Sequence, residues 1–277
     1  RFQKQHNLDI DGCLGPATFA ILRSATQTSP STSLPGMPDI GSGVPARTGV
    51  SNRIIVNGKR IPMPQQYIKA GLTCSNWIDD ADAHEDVHFT CKPRNGEVTN
   101  IVIHESVTNS VASTVDALQA QGYGVHFMIA PDGHLSCHND AVTEYLIHGN
   151  QLNGRSVGIE VINPYSPKYA KPPFTRTIPA TWWTWVPKGA SPLYTLPTDA
   201  QLKALRALVG WLCNLIPTLP MGFPTKDLNA NQKKIAGWDA KPAAKPGPGI
   251  VAHSDYSSHA DGRYELEFLL DKPAKKG

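Results

Sequence analysis

Apolar residues along the chain fall into short runs separated by Gly, Pro and polar clusters, and their spacing predicts the elements. Ile54-Ile55-Val56 and Ile61-Pro62-Met63 flank Asn57-Gly58, which predicts a hairpin with an N-G turn. Residues 98–103 (VTNIVI) predict a buried strand ending at His104. Val111, Val115 and Leu118 share one face of a short helix over 111–121, stopped by Gly122. Residues 125–130 and 134–138 flank Pro131-Asp132-Gly133 and read as a second hairpin. Residues 157–162 (VGIEVI) predict another buried strand. Thr198 and Gln201 form a capping-box start, followed by a stripe of Leu202, Leu205, Leu208, Leu212 and Leu215 that Pro217 ends. A stiff approach, 242–248 (PAAKPGP), leads to a last strand, Ile250-Val251-Ala252, ending at His253. Strands interleaved with helices predict an α/β fold: a mixed central sheet flanked by helices.

Three stretches stand outside this pattern. In residues 1–25, Phe2, Leu8, Ile10, Leu14, Phe19 and Leu22 supply one apolar face of a partial helical module. Residues 26–51 are rich in Ser, Thr, Pro and Gly and read as a linker. The globular domain then runs from 52 to 277, with a Pro- and Trp-rich insertion at about 164–197 that is expected to be irregular. Trp182, Trp183 and Trp185 in it either stack on a ligand or pack the insertion onto the domain.

Composition removes several classes. The chain has 277 residues, 40% hydrophobic and 18% charged, with net charge +3, which is too apolar and too neutral for wholesale disorder. That charge also falls short of a dedicated nucleic-acid binder, and no run is long enough to insert in a membrane. Cys13, Cys74, Cys91, Cys137 and Cys213 contain no C-x-x-C pair. Cys74 and Cys91 are the candidate disulfide of an oxidising compartment, with buried thiols as the alternative. The chain begins at Arg1 without Met or a visible signal peptide, and is expected to be a cut product.

The chemistry gathers at strand ends. His104 follows NIVI, His253 follows GIVA, and Asp261 comes eight residues after His253. Two imidazoles and a carboxylate with an open fourth position are a catalytic zinc set. Zinc brings the pKa of a water toward ~7 and polarises a carbonyl. Glu160 is the odd residue in an apolar strand, costly there unless it has a partner. It is the candidate base; the alternative is a carboxylate facing solvent on an edge strand. A competing motif, His84-Glu85-Asp86-Val87-His88, fits H-E-x-x-H, but its surroundings are acid-rich and soon broken by Pro93 and Gly96. His134 and His138 are expected to be structural or groove-facing.

Four blocks occur in order: IVIHES, HFMIAPDGHLSCHND, LIHGNQLNGRSVGIEV and VAHSDYSSHADG. Together, over about 98–270, they resemble the zinc-dependent N-acetylmuramoyl-L-alanine amidases of type 2, relatives of peptidoglycan recognition proteins. The string FQKQHNLDIDGCLGPATFAIL resembles the closing half of a type 1 peptidoglycan-binding domain, through Phe2-Gln3, Leu8, Asp11-Gly12, Gly15, Thr18 and Leu22. The amidase resemblance implies one Zn2+ held by His104, His253 and Asp261, and Glu160 as general base. It implies that His148 lines the substrate groove, with Asn153, Arg155 and His126 as further substrate-side residues. The family usually has Lys or Thr two positions before the third ligand. Here it is His259, expected to donate to the oxyanion, with a spare surface histidine as the alternative. The activity implied is hydrolysis of the amide between N-acetylmuramic acid and L-alanine of the peptidoglycan stem. The enzyme would act on the bacterial wall after secretion, in the periplasm, or by phage delivery. The alternatives are a non-catalytic recognition module on the same fold and a metallopeptidase using His84 and His88.

Overall fold

A computed structural model describes residues 49–80, 85–179, 193–222, 247–256 and 261–269. The module at 1–25, most of the linker, the three insertion tryptophans, His84 and His259 lie outside the described residues.

In chain order the elements are β1 (Arg53–Val56), β2 (Lys59–Pro62), α1 (Gln65–Lys69), β3 (Cys74–Asn76), β4 (Lys92–Pro93), β5 (Asn100–Glu105), α2 (Val111–Ala120), β6 (Phe127–Ile129), β7 (Leu135–Cys137) and β8 (Glu144–Tyr145). A 3-10 turn, Asn150–Arg155, leads into β9 (Ser156–Val161); then come β10 (Thr177–Pro179), β11 (Leu193–Thr195), α3 (Asp199–Leu215), β12 (Gly249–Ala252), a 3-10 turn at His253–Asp255, and α4 (Arg263–Leu269).

Six strands form one mixed sheet in the order β12-β5-β9-β6-β7-β3. Only β6 and β7 run antiparallel; the other neighbours are parallel. The central strands β5 and β9 are buried along their whole length. Parallel strands covered on both faces need apolar residues throughout, which explains the unbroken runs seen in the sequence.

One face of the sheet carries Ile101, Ile103, Val157, Ile159, Phe127, Ile129, Ile250 and Ala252, packed on α3 through Leu205, Leu208 and Leu212. The capping box of α3 is present: Thr198 accepts from the Gln201 N–H, and the Gln201 side chain accepts from the Thr198 N–H. Gln201 also donates through Nε2 to the Ile129 and Ile162 carbonyls, tying the helix start to β6 and β9. The opposite face holds Met128, packed with Val111 and Val115 of α2, and Val102 with Val251, Leu152 and Tyr256.

One expectation is corrected, and one pair of alternatives is decided. The insertion is not irregular throughout, because β10 and β11 at its ends pair antiparallel from Thr177↔Thr195 to Pro179↔Leu193. Cys74 and Cys91 are free thiols: Cys74 is buried in the sheet strand β3, and Cys91 precedes the separate β4–β8 ribbon. The N-G hairpin is present as read, with Asn57 and Gly58 both at positive φ and their N–H groups donating to Asp140.

Candidate functional site

The site lies at the carboxyl end of the parallel strands, on the α2 side of the sheet. Alternation along β5 puts Ile101 and Ile103 under α3, and so turns Val102 and His104 to the other face. Register does the rest. His104 pairs with Glu160 of β9, and Glu160 pairs in turn with Met128 of β6. Ala252 pairs with Ile103, so the next residue, His253, comes beside His104. The two imidazole centroids are 4.6 Å apart. β12 is pinned in this register by Asn100, whose Nδ2 donates to the Gly247 and Gly249 carbonyls.

Asp261 reaches the pair from the segment before α4. Its carboxylate is 3.1 Å from His253 Nδ1 and 3.4 Å from His104 Nδ1. Gly262 places it there. The Gly262 N–H donates to Glu105 Oε2 at 3.1 Å, and its backbone lies so close to β5 that a Cβ would be 2.1 Å from the Ile103 oxygen. Its φ of +78° adds a second demand for glycine. One ligand atom each from His104, His253 and Asp261 lies within 4.8 Å of the others, a candidate His/His/Asp metal centre.

The hydrogen-bond network sets the tautomers. Ser156 Oγ gives its proton to the Leu152 carbonyl at 2.8 Å, so it accepts from His148 Nε2 at 3.2 Å. His148 Nδ1 is therefore an acceptor, and takes the Nε2–H of His104 at 3.2 Å. A neutral His104 then presents its Nδ1 lone pair toward the Asp261 carboxylate. Two electron-rich atoms aimed at one another fit a cation between them, and an imidazole whose other nitrogen donates to a fixed acceptor is the usual arrangement at a metal. Burial, with the neighbouring His104 and His126 rings and the Arg94 guanidinium, pushes the His148 pKa well down and keeps its ring neutral. His148 can lie flat on β9 only because residue 158 is glycine: a Cβ there would meet its ring at 2.7 Å.

Charge is distributed unevenly. Glu160 is buried in a central strand, not exposed at an edge. Burial, with the Asp261 and Glu105 carboxylates nearby, pushes its pKa well up.

The other sequence candidates take supporting positions. Asn153 is buried, and its Oδ1 accepts from the His148 and Gly149 N–H groups, which shapes the loop carrying His148. His126 is fully buried: Nδ1 accepts from the Gly158 N–H and Nε2 donates to the Glu144 carbonyl. Arg155 closes the 3-10 turn, and its carbonyl accepts from Thr99. His134 bonds Thr73 and Ser75, and His138 bonds the Val87 carbonyl, so both are structural. Residues 85–91 of the H-E-x-x-H region are irregular, not helical.

Two residues escaped the sequence reading. Arg94 donates to the carbonyls of Asn153, Glu144 and Ser156, crossing beneath His126 to tie three segments together. Glu105, buried next to His104 but on the opposite face, accepts from Asn163 Nδ2, from Gly262 and from the Tyr194 hydroxyl. An isolated Arg before a turn and a Glu after a histidine carry no periodic signal. The nearest hint was that β5 ends on a buried acid.

An open groove of about 540 Å3 is lined by Val107, Asn109, Lys168, Tyr169, Ala170 and Lys171, none of them a residue of the His/His/Asp centre. Its walls are the segments that follow β5 and β9, the strands of His104 and Glu160. No helix among the described residues is long and apolar enough to cross a membrane.

Among solved structures, the chain is similar to Drosophila peptidoglycan recognition protein SA at 14% identity, covering 72% of this chain and 91% of that one, with TM-score 0.41. It is similar to the N-acetylmuramoyl-L-alanine amidase LysC of Clostridium intestinale at 16% identity (67% and 96% covered, TM-score 0.38). It is also similar to the Ph2119 endolysin of a Thermus scotoductus bacteriophage at 13% identity (65% and 89% covered, TM-score 0.35). No curated protein matches it in sequence. The family profile described as N-acetylmuramoyl-L-alanine amidase matches residues 94–263, from the half-buried Arg94 through the third candidate ligand. With more than half of its length matched, the chain belongs to the N-acetylmuramoyl-L-alanine amidase family.

Proposed function

We propose that this peptidoglycan amidase, which cleaves the amide between N-acetylmuramic acid and L-alanine, works with Zn2+ held by His104, His253 and Asp261 and with Glu160 as general base. The observation that carries the reading is the convergence of three donor atoms within 4.8 Å, with Glu160 paired in register to His104. Two imidazoles and a carboxylate suit zinc by ligand type, and leave one tetrahedral position for water or substrate. Zinc bound there would lower the pKa of a water, polarise the scissile carbonyl, and offset the Asp261 charge that, after burial, raises the Glu160 pKa.

The chain's residues do the rest. Glu160 takes the proton of the attacking water and returns it to the departing alanine nitrogen. A buried carboxyl with a raised pKa suits both halves of that transfer. His148 stays neutral and accepts from His104 Nε2–H, which keeps the ligand nitrogen Nδ1 turned inward. His259 is proposed as the oxyanion donor that replaces the family's usual Lys or Thr. Asn153 and His126 are proposed to act on substrate only indirectly, by holding the His148 loop and β9. Arg155 is proposed as a substrate contact. Lys168 and Lys171, which line the open groove, are proposed as cations for the carboxylates of the stem peptide. The substrate puts the site of action at the bacterial wall, reached by secretion or by phage delivery.

Digestion of purified wall tests this reading. The expected products carry new N-terminal L-alanine on released peptides, with glycans and cross-links intact. Newly freed internal peptide amines would mean a peptidase, and no release would mean a recognition module; either result refutes the proposal.

A further inference from the structure

We propose that His88, Cys91 and Glu144 form a second metal site, separate from the catalytic centre, taking a divalent transition ion of the zinc class. One ligand atom from each lies within 4.8 Å of the others. Imidazole nitrogen, thiolate and carboxylate form a borderline-soft donor set, which selects zinc over magnesium or calcium. His88 Nε2 lies 3.1 Å from both Glu144 oxygens, a symmetric approach that a shared cation explains as well as a shared proton.

The donors are held in place by neighbours. Trp77 stacks on the His88 ring at 4.9 Å and 22°. Glu144 Oε2 accepts from Asn139 Nδ2 and from the Asp140 N–H, both at 2.8 Å. Such outer contacts orient carboxylate and imidazole ligands at metal sites. The His88 side chain is 39% exposed and that of Glu144 21%, so an ion can enter and water can complete its shell. Without a cation, burial and the Glu144 charge raise the Cys91 pKa and keep the thiol protonated. On binding, the S–H proton leaves to solvent and the sulfur lone pair forms the metal bond. The ion would clamp the loop before β4 to β8, the ribbon whose next residue, Arg94, reaches beneath His126.

Cobalt reads this site alone, because the His/His/Asp centre contains no sulfur. The whole chain, stripped with a chelator, is titrated with Co2+. The expected result is two equivalents bound, with a thiolate-to-cobalt charge-transfer band in the near ultraviolet. Cys91→Ser should lose the band and one equivalent while still digesting wall, and His88→Ala should weaken the band. Absence of the band in the parent chain, or its persistence in Cys91→Ser, would overturn the proposal whatever the catalytic centre binds.

Discussion

Gly262→Ala tests how the third ligand is placed. The added Cβ would come 2.1 Å from the Ile103 carbonyl oxygen, 2.7 Å from its carbon and 3.3 Å from the His104 nitrogen. These are backbone atoms of a central strand and cannot swing aside. The loop must therefore retreat by about 1 Å, and the left-handed φ of +78° adds about 1–2 kcal/mol of strain for alanine. Retreat also breaks the Gly262 N–H bond to Glu105. The combined stability cost is about 3 kcal/mol, since leaving a buried acceptor without its hydrogen bond itself costs about 1–3 kcal/mol. A displacement of that size at Asp261 should lower wall hydrolysis by about 100-fold and weaken zinc retention. The assay is turnover on purified peptidoglycan, with metal content by elemental analysis and a urea melt. Gly154→Ala is the control, since nothing lies within 4 Å of its added Cβ. Parent-like turnover and metal content in Gly262→Ala would refute the reasoning.

Other consequences follow from polar groups that are buried or half-buried. Arg94→Ala should cost about 3 kcal/mol in urea unfolding, because three carbonyls lose a charged donor at once; a loss below about 1 kcal/mol would contradict the tie. Burial works against the Asp140 charge, but backbone N–H bonds from Gly58, Thr143, Val142 and Asn57 outweigh it and lower its pKa. Its stabilisation is therefore present above the unfolded carboxyl pKa and lost as pH falls through the lower folded value. The stability gap between parent and Asp140→Ala should hold above about pH 5 and shrink below about pH 4, as measured by urea midpoints. A gap that does not vary with pH would contradict this. Thr198→Ala removes the acceptor for the Gln201 N–H and should cost about 1 kcal/mol, read as a lower urea midpoint.

The ligands were legible because they sit where pattern and register meet. His104 and His253 each close an apolar run, and parallel pairing turns that shared position into proximity. Glu160 was legible as a charge inside such a run. Asn153 and His126 were visible as residues of a site block, but their side chains are used inward, on the His148 loop and on β9. Local sequence does not say which way a polar side chain turns when several backbone groups need partners. Arg94 and Glu105 were missed for a related reason: each serves contacts far along the chain, which no local spacing records. The state of Cys74 and Cys91 was left open between a disulfide and free thiols because separation in sequence says nothing of position; the thiols are free, one in the main sheet and the other beside a two-stranded ribbon. The insertion read as irregular from its prolines, yet β11 carries Tyr194 back to Glu105 under the site.

The most direct test counts zinc in a Cys91→Ser background, where the catalytic centre alone is read. That chain should hold one zinc and release N-terminal L-alanine from purified wall. Adding His104→Ala and His253→Ala should remove both, whereas Glu160→Ala should keep the zinc and lose the release. Zinc or alanine release that survives loss of both histidines would contradict the account.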